Sequence, residues 1–194
     1  GANNTGVGQS ALLANTTGAN NTAVGGQGVL DANTTGAGNT AMGYRSGGAT
    51  TTGGQNTFIG ADSGGLHTTG TLNTFVGADS GYYVTTGAKN TIIGKFNANQ
   101  GGLDIRTSSN NIVLSDGDGN PRGYYKGGDT WHFVSPTDNQ NSMFIDNTGG
   151  SYPYGPAIRL TAADPNNTTQ YFLKGEGNGT NRLFIYSNGN ITNT

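Results

Sequence analysis

Polar and apolar positions in the first half of the chain do not recur at the spacing of three and four that a helix needs. They form short alternating stretches that return at a fixed interval. Aligned on an Asn-Thr pair, the units read "GANNTGVGQSALLANTT" from Gly1, "GANNTAVGGQGVLDANTT" from Gly18, "GAGNTAMGYRSGGATTT" from Gly36, "GGQNTFIGADSGGLHTT" from Gly53 and "GTLNTFVGADSGYYVTT" from Gly70. A sixth unit opens as "GAKNTIIG" at Gly87 and then drifts, and "SNNIVLSDG" from Ser109 echoes the pattern once more. The spacing is 17 residues, with one unit of 18. Fixed self-similarity on this scale is the mark of a repeat architecture.

Within each stretch the side chains alternate in direction. Thr5 and Val7, Thr22 and Val24, Thr40 and Met42, Thr57 and Ile59, Thr74 and Val76, and Thr91 and Ile93 share one face of a strand. Gly6, Ala23, Ala41, Phe58, Phe75 and Ile92 occupy the other. Both faces are apolar where the residues grow bulky, which predicts burial on both sides. A glycine closes every stretch (Gly8, Gly25, Gly43, Gly60, Gly77, Gly94), as a tight corner demands, and Asn, Thr, Ser and Gly fill the turns. The expected fold is all-β: a parallel β-solenoid whose coils hold about two short strands each and stack roughly 4.8 Å apart. A thin coil leaves one strand face over. The Phe58, Phe75 and Ile92 face is therefore the expected oligomer interface, and the threonines are expected to be buried.

From Thr107 the period stops and aromatic residues thicken. Alternating runs between turn clusters, such as "NIVLSDGDGNPRGYY", "SMFIDNTGG" and "QYFLKGEGNGTNRLFIYSNGN", predict antiparallel hairpins with "DGDGN" and "GNGTN" at their tips. This divides the chain into a repeat shaft over 1–106 and a small β-rich module over 107–194.

Composition narrows the partners. Apolar residues make up 31% and charged residues 10%, a share too low for one thin coil to enclose a core of its own, which again favours a homo-oligomer. The net charge is −2, with Lys and Arg scattered singly, so no basic face invites nucleic acid or acidic lipid. No apolar run is long enough for a membrane helix, and with no cysteine there are no disulfides or thiolate metal sites. Beginning at Gly1 rather than Met, the chain is expected to be a piece of something longer.

The "NNTAVGGQGV" pattern from Asn20 to Val29 and its siblings resemble the head repeats of trimeric autotransporter adhesins, whose parallel β-rolls stand three abreast. They are also similar to the Asn-Thr-Phe-Val-Gly repeats of bacteriophage tail fibres, and this resemblance covers Gly1 to about Gly102. "NNIVLSDGDGN" (Asn110 to Asn120) and "RLFIYSNGNI" (Arg182 to Ile191) resemble tail-fibre and tailspike segments that precede a self-cleaving intramolecular chaperone. The resemblance implies a homotrimeric fibre carried on a virion, outside the cell, that supports attachment to a host receptor. The alternative it implies is the head of a bacterial cell-surface adhesin, which would instead pass into a coiled-coil stalk; no heptad pattern is visible.

The chemistry-bearing residues are few. Asp62 and Asp79 hold equivalent places in adjacent units, so stacking brings two carboxylates to the separation that retaining glycosidases use. A catalytic pair needs unlike environments, whereas a repeated position supplies like ones, so a turn-forming ladder is the expectation and the chain is read as no enzyme. Asp116, Asp118 and Asn120 match the first ligands of a calcium loop, but Pro121 and Gly127 stand where such a loop needs Gly and Glu; a hairpin tip is expected. His67 and His132 are far apart without nearby acidic partners, and no phosphate-binding loop is present, so neither metal nor cofactor is expected. The sequons at Asn3, Asn15, Asn20 and Asn33 follow from a chain rich in Asn and Thr. In "GGSYPYGPAIRL", Tyr152 and Tyr154 flank Pro153 on what reads as a stiff loop; together with Trp131 they are the candidates for contact with a host surface glycan. An ice-binding solenoid with a threonine ladder is a third functional class, disfavoured if the threonines are buried.

Overall fold

The computed structural model describes residues 1–128 and 131–134, together with the backbone of three strands within 171–193. It divides into two compact units, Gly1–Met143 and Phe144–Thr194. The first is the solenoid. Its strands are β1 (Thr5–Gln9), β2 (Thr22–Gln27), β3 (Thr40–Met42), β4 (Thr57–Ile59), β5 (Thr74–Val76) and β6 (Thr91–Ile93), each one unit of the repeat. After β6 come β7 (Asn99–Gln100), β8 (Leu103–Asp104), β9 (Ile112–Ser115), β10 (Pro121–Tyr125) and β11 (Trp131–Phe133). One sheet runs β1-β2-β3-β4-β5-β6-β9-β10-β11, while β7 and β8 form a small antiparallel pair. The second unit is an antiparallel sheet of β12 (Tyr171–Gly177), β13 (Thr180–Tyr186) and β14 (Ile191–Asn193).

From β1 to β6 every neighbouring pair is parallel and in register, Thr over Thr. The echo from Ser109 continues this stack: β9 pairs parallel with β6, Ile112 beside Thr91. Parallel stacking therefore passes the boundary expected at 106/107, and the turn to antiparallel pairing comes only at β10. The reason lies in Asn111, which supplies the one side chain that stacking requires.

That side chain is the asparagine before each strand. Oδ1 of Asn4, Asn21, Asn39, Asn56, Asn73 and Asn90 accepts the backbone N–H of the next unit's asparagine at 2.9–3.0 Å, ending at Asn111. The matching Nδ2 donates to the carbonyl that opens the next unit, Gly36 for Asn21, Gly53 for Asn39, Gly70 for Asn56 and Gly87 for Asn73. Each side chain thus holds two backbone groups of its neighbour, and all from Asn21 to Asn111 are fully buried or nearly so. Buried amides so satisfied cost little and enforce register, since a slip by one residue would orphan every one of them.

Each unit carries one short strand in the long sheet instead of the two expected. The opposite side is built of turns, with left-handed φ at equivalent places such as Arg45, Asp62 and Asp79 (50°, 54° and 55°), and so lacks extended backbone. It still hydrogen-bonds from unit to unit, as in Gly47 N to Ser63 O at 2.8 Å and Gly64 N to Ser80 O at 2.9 Å. Where the strand ends, glycine is required by contact: a Cβ on Gly60 would lie 2.4 Å from the carbonyl oxygen of Gly77, and one on Gly77 the same distance from that of Gly94. These are backbone atoms of the next coil and have nowhere to go.

Inside the coil lie Ala23, Leu30, Ala41, Phe58, Phe75, Ile92, Phe96 and Val113, all without exposed surface. The Phe58 and Phe75 rings are 5.6 Å apart, with the ring of His67 5.1 Å from the first and 6.4 Å from the second.

Candidate functional site

The strand face expected to meet partner chains is the one that fills the coil. Phe58, Phe75 and Ile92 have no exposed surface in a single chain, so they are not an oligomer interface. Strand parity points the Phe58 and Phe75 rings at Gly64 and Gly81, where a Cβ would come within 2.5–2.6 Å of a phenylalanine ring carbon. The coil is thick enough to enclose its own core because those glycines make room for rings.

The other face looks outward, and it too differs from expectation. Thr22, Thr40, Thr57, Thr74 and Thr91 are half-buried and Thr5 is exposed, instead of all being buried. Beside them runs a column of aliphatic side chains held in register by the sheet: Val7, Val24, Met42, Ile59, Val76, Ile93 and Leu114. Five of the seven are strongly exposed, Val7 at 55%, Met42 at 48%, Leu114 at 46%, Ile93 at 41% and Ile59 at 38%. Scattered exposed aliphatics mean little, but a continuous line of them on one sheet face is an apolar stripe that stands out from ordinary protein surface. Parity alone placed these residues together in the sequence; it did not say which face was outside.

Trp131, one of the candidates for glycan contact, is half exposed on β11, with Phe133 beside it on the same face at a ring separation of 6.4 Å and nearly parallel. Tyr125 of β10 leans toward Trp131 at 6.1 Å. On the reverse face His132 stacks on Tyr124 at 4.5 Å. The hairpin thus presents a patch of aromatic surface, of which Trp131 alone is among the glycan candidates of the sequence. Tyr152 and Tyr154 lie outside the described residues.

Asp62 and Asp79 do stand one coil apart, as their spacing implied, and they line a common open groove of about 390 Å³. Arg45, one coil before Asp62, approaches it to 3.8 Å, and Lys95 approaches Asp79 to 4.0 Å. Tyr82, Tyr83, Asn97 and Gln100 complete the lining.

The remaining candidates are structural. Asp116 takes the backbone N–H groups of Asp118 and Asn120 at 3.0 and 2.9 Å and the side chains of Asn120 and Arg122. Desolvation pushes its carboxyl up, but the hydrogen bonds from Asn120, Arg122 and Asp118 outweigh this and hold it down at about 2. A carboxylate so engaged closes the hairpin tip between β9 and β10. Among the described residues no cluster of three His, Asp or Glu side chains is disposed to hold a metal. His67 is wholly buried, with Nδ1 3.3 Å from Thr50 Oγ1 and Nε2 3.2 Å from Asn73 Nδ2. Of the sequon asparagines, Asn33 is buried and bonded to Gly36 O and Asn15 Oδ1, which leaves it no room for a glycan.

No family model, curated protein or solved structure matches the chain.

Proposed function

We propose that the chain is a segment of a homotrimeric fibre, the shaft of a phage tail fibre or tailspike, whose work outside the cell is mechanical and adhesive and not catalytic. The observation that carries this reading is the outward aliphatic column from Val7 to Leu114. Its seven rungs rise by about 4.8 Å each, so it runs for about 29 Å along the coil. A partner must match that repeat to cover it, and a second copy of the same chain, laid parallel, matches it at every rung. Three copies is the number implied by the likeness of the Asn-Thr repeats to adhesin heads and tail fibres. The aromatic patch around Trp131 and Phe133 supports an adhesive end, since flat apolar rings with polar tips stack on sugars.

Sedimentation equilibrium of the purified chain tests this. A mass of three chains is expected for the wild type. Replacing Ile59 and Ile93 with Asp places repeated charges in the seam and yields folded monomers, because both side chains point away from the core. A wild-type chain that is monomeric at high concentration, or a double variant that keeps its trimeric mass, overturns the reading.

A further inference from the structure

We infer that the groove beside Asp62 and Asp79 is a binding site for a neutral saccharide on the flank of the solenoid. It is distinct from the Trp131 patch and does not depend on whether the chains associate.

The groove is assembled by the repeat. Arg45, Asp62 and Asp79 follow the β3, β4 and β5 strands at the same place in three consecutive coils, each in the left-handed conformation. Stacking sets the two carboxylate positions about one coil, roughly 4.8 Å, apart, within the span of a single pyranose ring. Lys95, at the corner after β6, closes the row, so that the charges read plus, minus, minus, plus.

The chemistry of that row selects the ligand. Two cations and two anions balance, which favours neither an anion nor a cation. Among the described residues no third His, Cys, Asp or Glu joins the two carboxylates, and Arg45 and Lys95 already balance their charge, which leaves little to hold a divalent metal. The cation–carboxylate separations of 3.8 and 4.0 Å compensate charge but are too long for hydrogen bonds. Oδ1 of Asp62, enclosed beside Arg45, has no hydrogen-bond donor at all, so this carboxylate carries unspent acceptor capacity. Its terminal torsion is soft, and either oxygen can turn to meet a donor. Asn97 and Gln100 add amides that both donate and accept. Vicinal hydroxyls, each a donor and an acceptor, are the groups that use all of these at once.

An aromatic wall supplies the apolar half of sugar recognition. Tyr82 lies over Gly65, so closely that a Cβ there would come 2.5 Å from the ring. Tyr83 meets it edge-on at 4.9 Å and stays 43% exposed. A braced, exposed ring beside paired carboxylates offers a stacking surface for the C–H face of a sugar while its hydroxyls face the acids. Tyr83 also borders a neighbouring depression of about 350 Å³, which extends the fit from one ring to a short oligosaccharide.

The test is ligand-observed saturation-transfer NMR on the full chain, with methyl glycosides of glucose, galactose, mannose, rhamnose and N-acetylglucosamine as probes, without and with added calcium. At least one glycoside should bind. Tyr83→Ala and the Asp62→Asn, Asp79→Asn pair should each weaken binding at least about tenfold, while Trp131→Ala leaves it unchanged. Unaltered melting checks that the groove variants fold. Binding to none of the five glycosides overturns the inference, as does binding that survives both groove variants, vanishes with Trp131→Ala, or appears only with calcium. The trimer is judged separately by sedimentation, so failure of one reading leaves the other standing.

Discussion

The coils of β1 and β2 and the coils of β4 and β5 enclose the same space with different residues. In the first pair the inward strand position is small, Gly6 and Ala23, and the interior is filled from across the coil by Leu12 and Leu30. In the second pair the strand supplies the bulk, Phe58 and Phe75, and the position across the coil is Gly64 and Gly81. The intervening coil has Ala41 facing Gly47 and is small on both sides; a Cβ on Gly47 would meet Leu30 at 2.9 Å and Phe58 at 2.7 Å. Side chains of the coils before and behind have already filled that gap. What is held constant is the enclosed volume, and which side of the coil supplies it is free to change.

The largest effect should come from moving one coil's solution into another. Phe58→Ala leaves a ring-sized hole between glycines and should cost about 3–5 kcal/mol, read by denaturant unfolding. Gly64→Leu alone should be at least as harmful, because its side chain would run into Phe58. The double variant Phe58→Ala, Gly64→Leu recreates the arrangement of β2, where Leu30 adopts left-handed φ of 48° against 62° at Gly64. It should recover most of the loss, with a coupling of about 3 kcal/mol at the upper end of the usual range. Additive damage would show that the two positions do not exchange volume.

A second contrast lies at His67, where the first two coils carry Asn15 and Asn33. Burial lowers the His67 pKa from 6.5 to about 4, so the unfolded chain takes up its proton first as pH falls. Its contribution is present in full above pH 6.5 and is lost as pH falls from 6.5 toward 4, by about 3 kcal/mol in total. Melting curves between pH 7 and 4 should show that loss, and His67→Asn should flatten it. An unchanged pH profile in the variant would mean that other groups set the acid limit.

The smallest effect concerns the residue before the ladder asparagine. It takes left-handed φ throughout, 57° at Asn3, 59° at Asn20 and 61° at Leu72. Asparagine adopts that conformation at lower cost than leucine, while Leu72 is about half exposed and packs little. Leu72→Asn should therefore stabilise the chain by about 0.5–1 kcal/mol, a rise in melting temperature of a few degrees.

The fold class was legible because a period of 17 with a constant Asn-Thr core leaves few shapes other than a parallel stack. The candidate surfaces were legible only in part. Asp62 and Asp79 could be placed one above the other from spacing alone, but Arg45, Tyr82, Tyr83 and Lys95 could not be seen to share their groove. Asparagine by type reads as a turn former, and only its constant position signals a buried ladder.

The sequence by itself determined the register, since every coil must present Asn to Asn and Thr to Thr, and it determined which side chains share a strand face, because alternation is a local property of extended backbone. It did not determine which face is inside. Phe58 with Phe75, and Ile59 with Val76, are both apolar enough to be buried. Tertiary structure chose between them through residues six positions on: Gly64 and Gly81 open enclosed space for rings on the inward side, whereas the outward side faces solvent. The choice belongs to the closed coil, where the volume on one side is set by the residue opposite, and no window the length of a strand contains both.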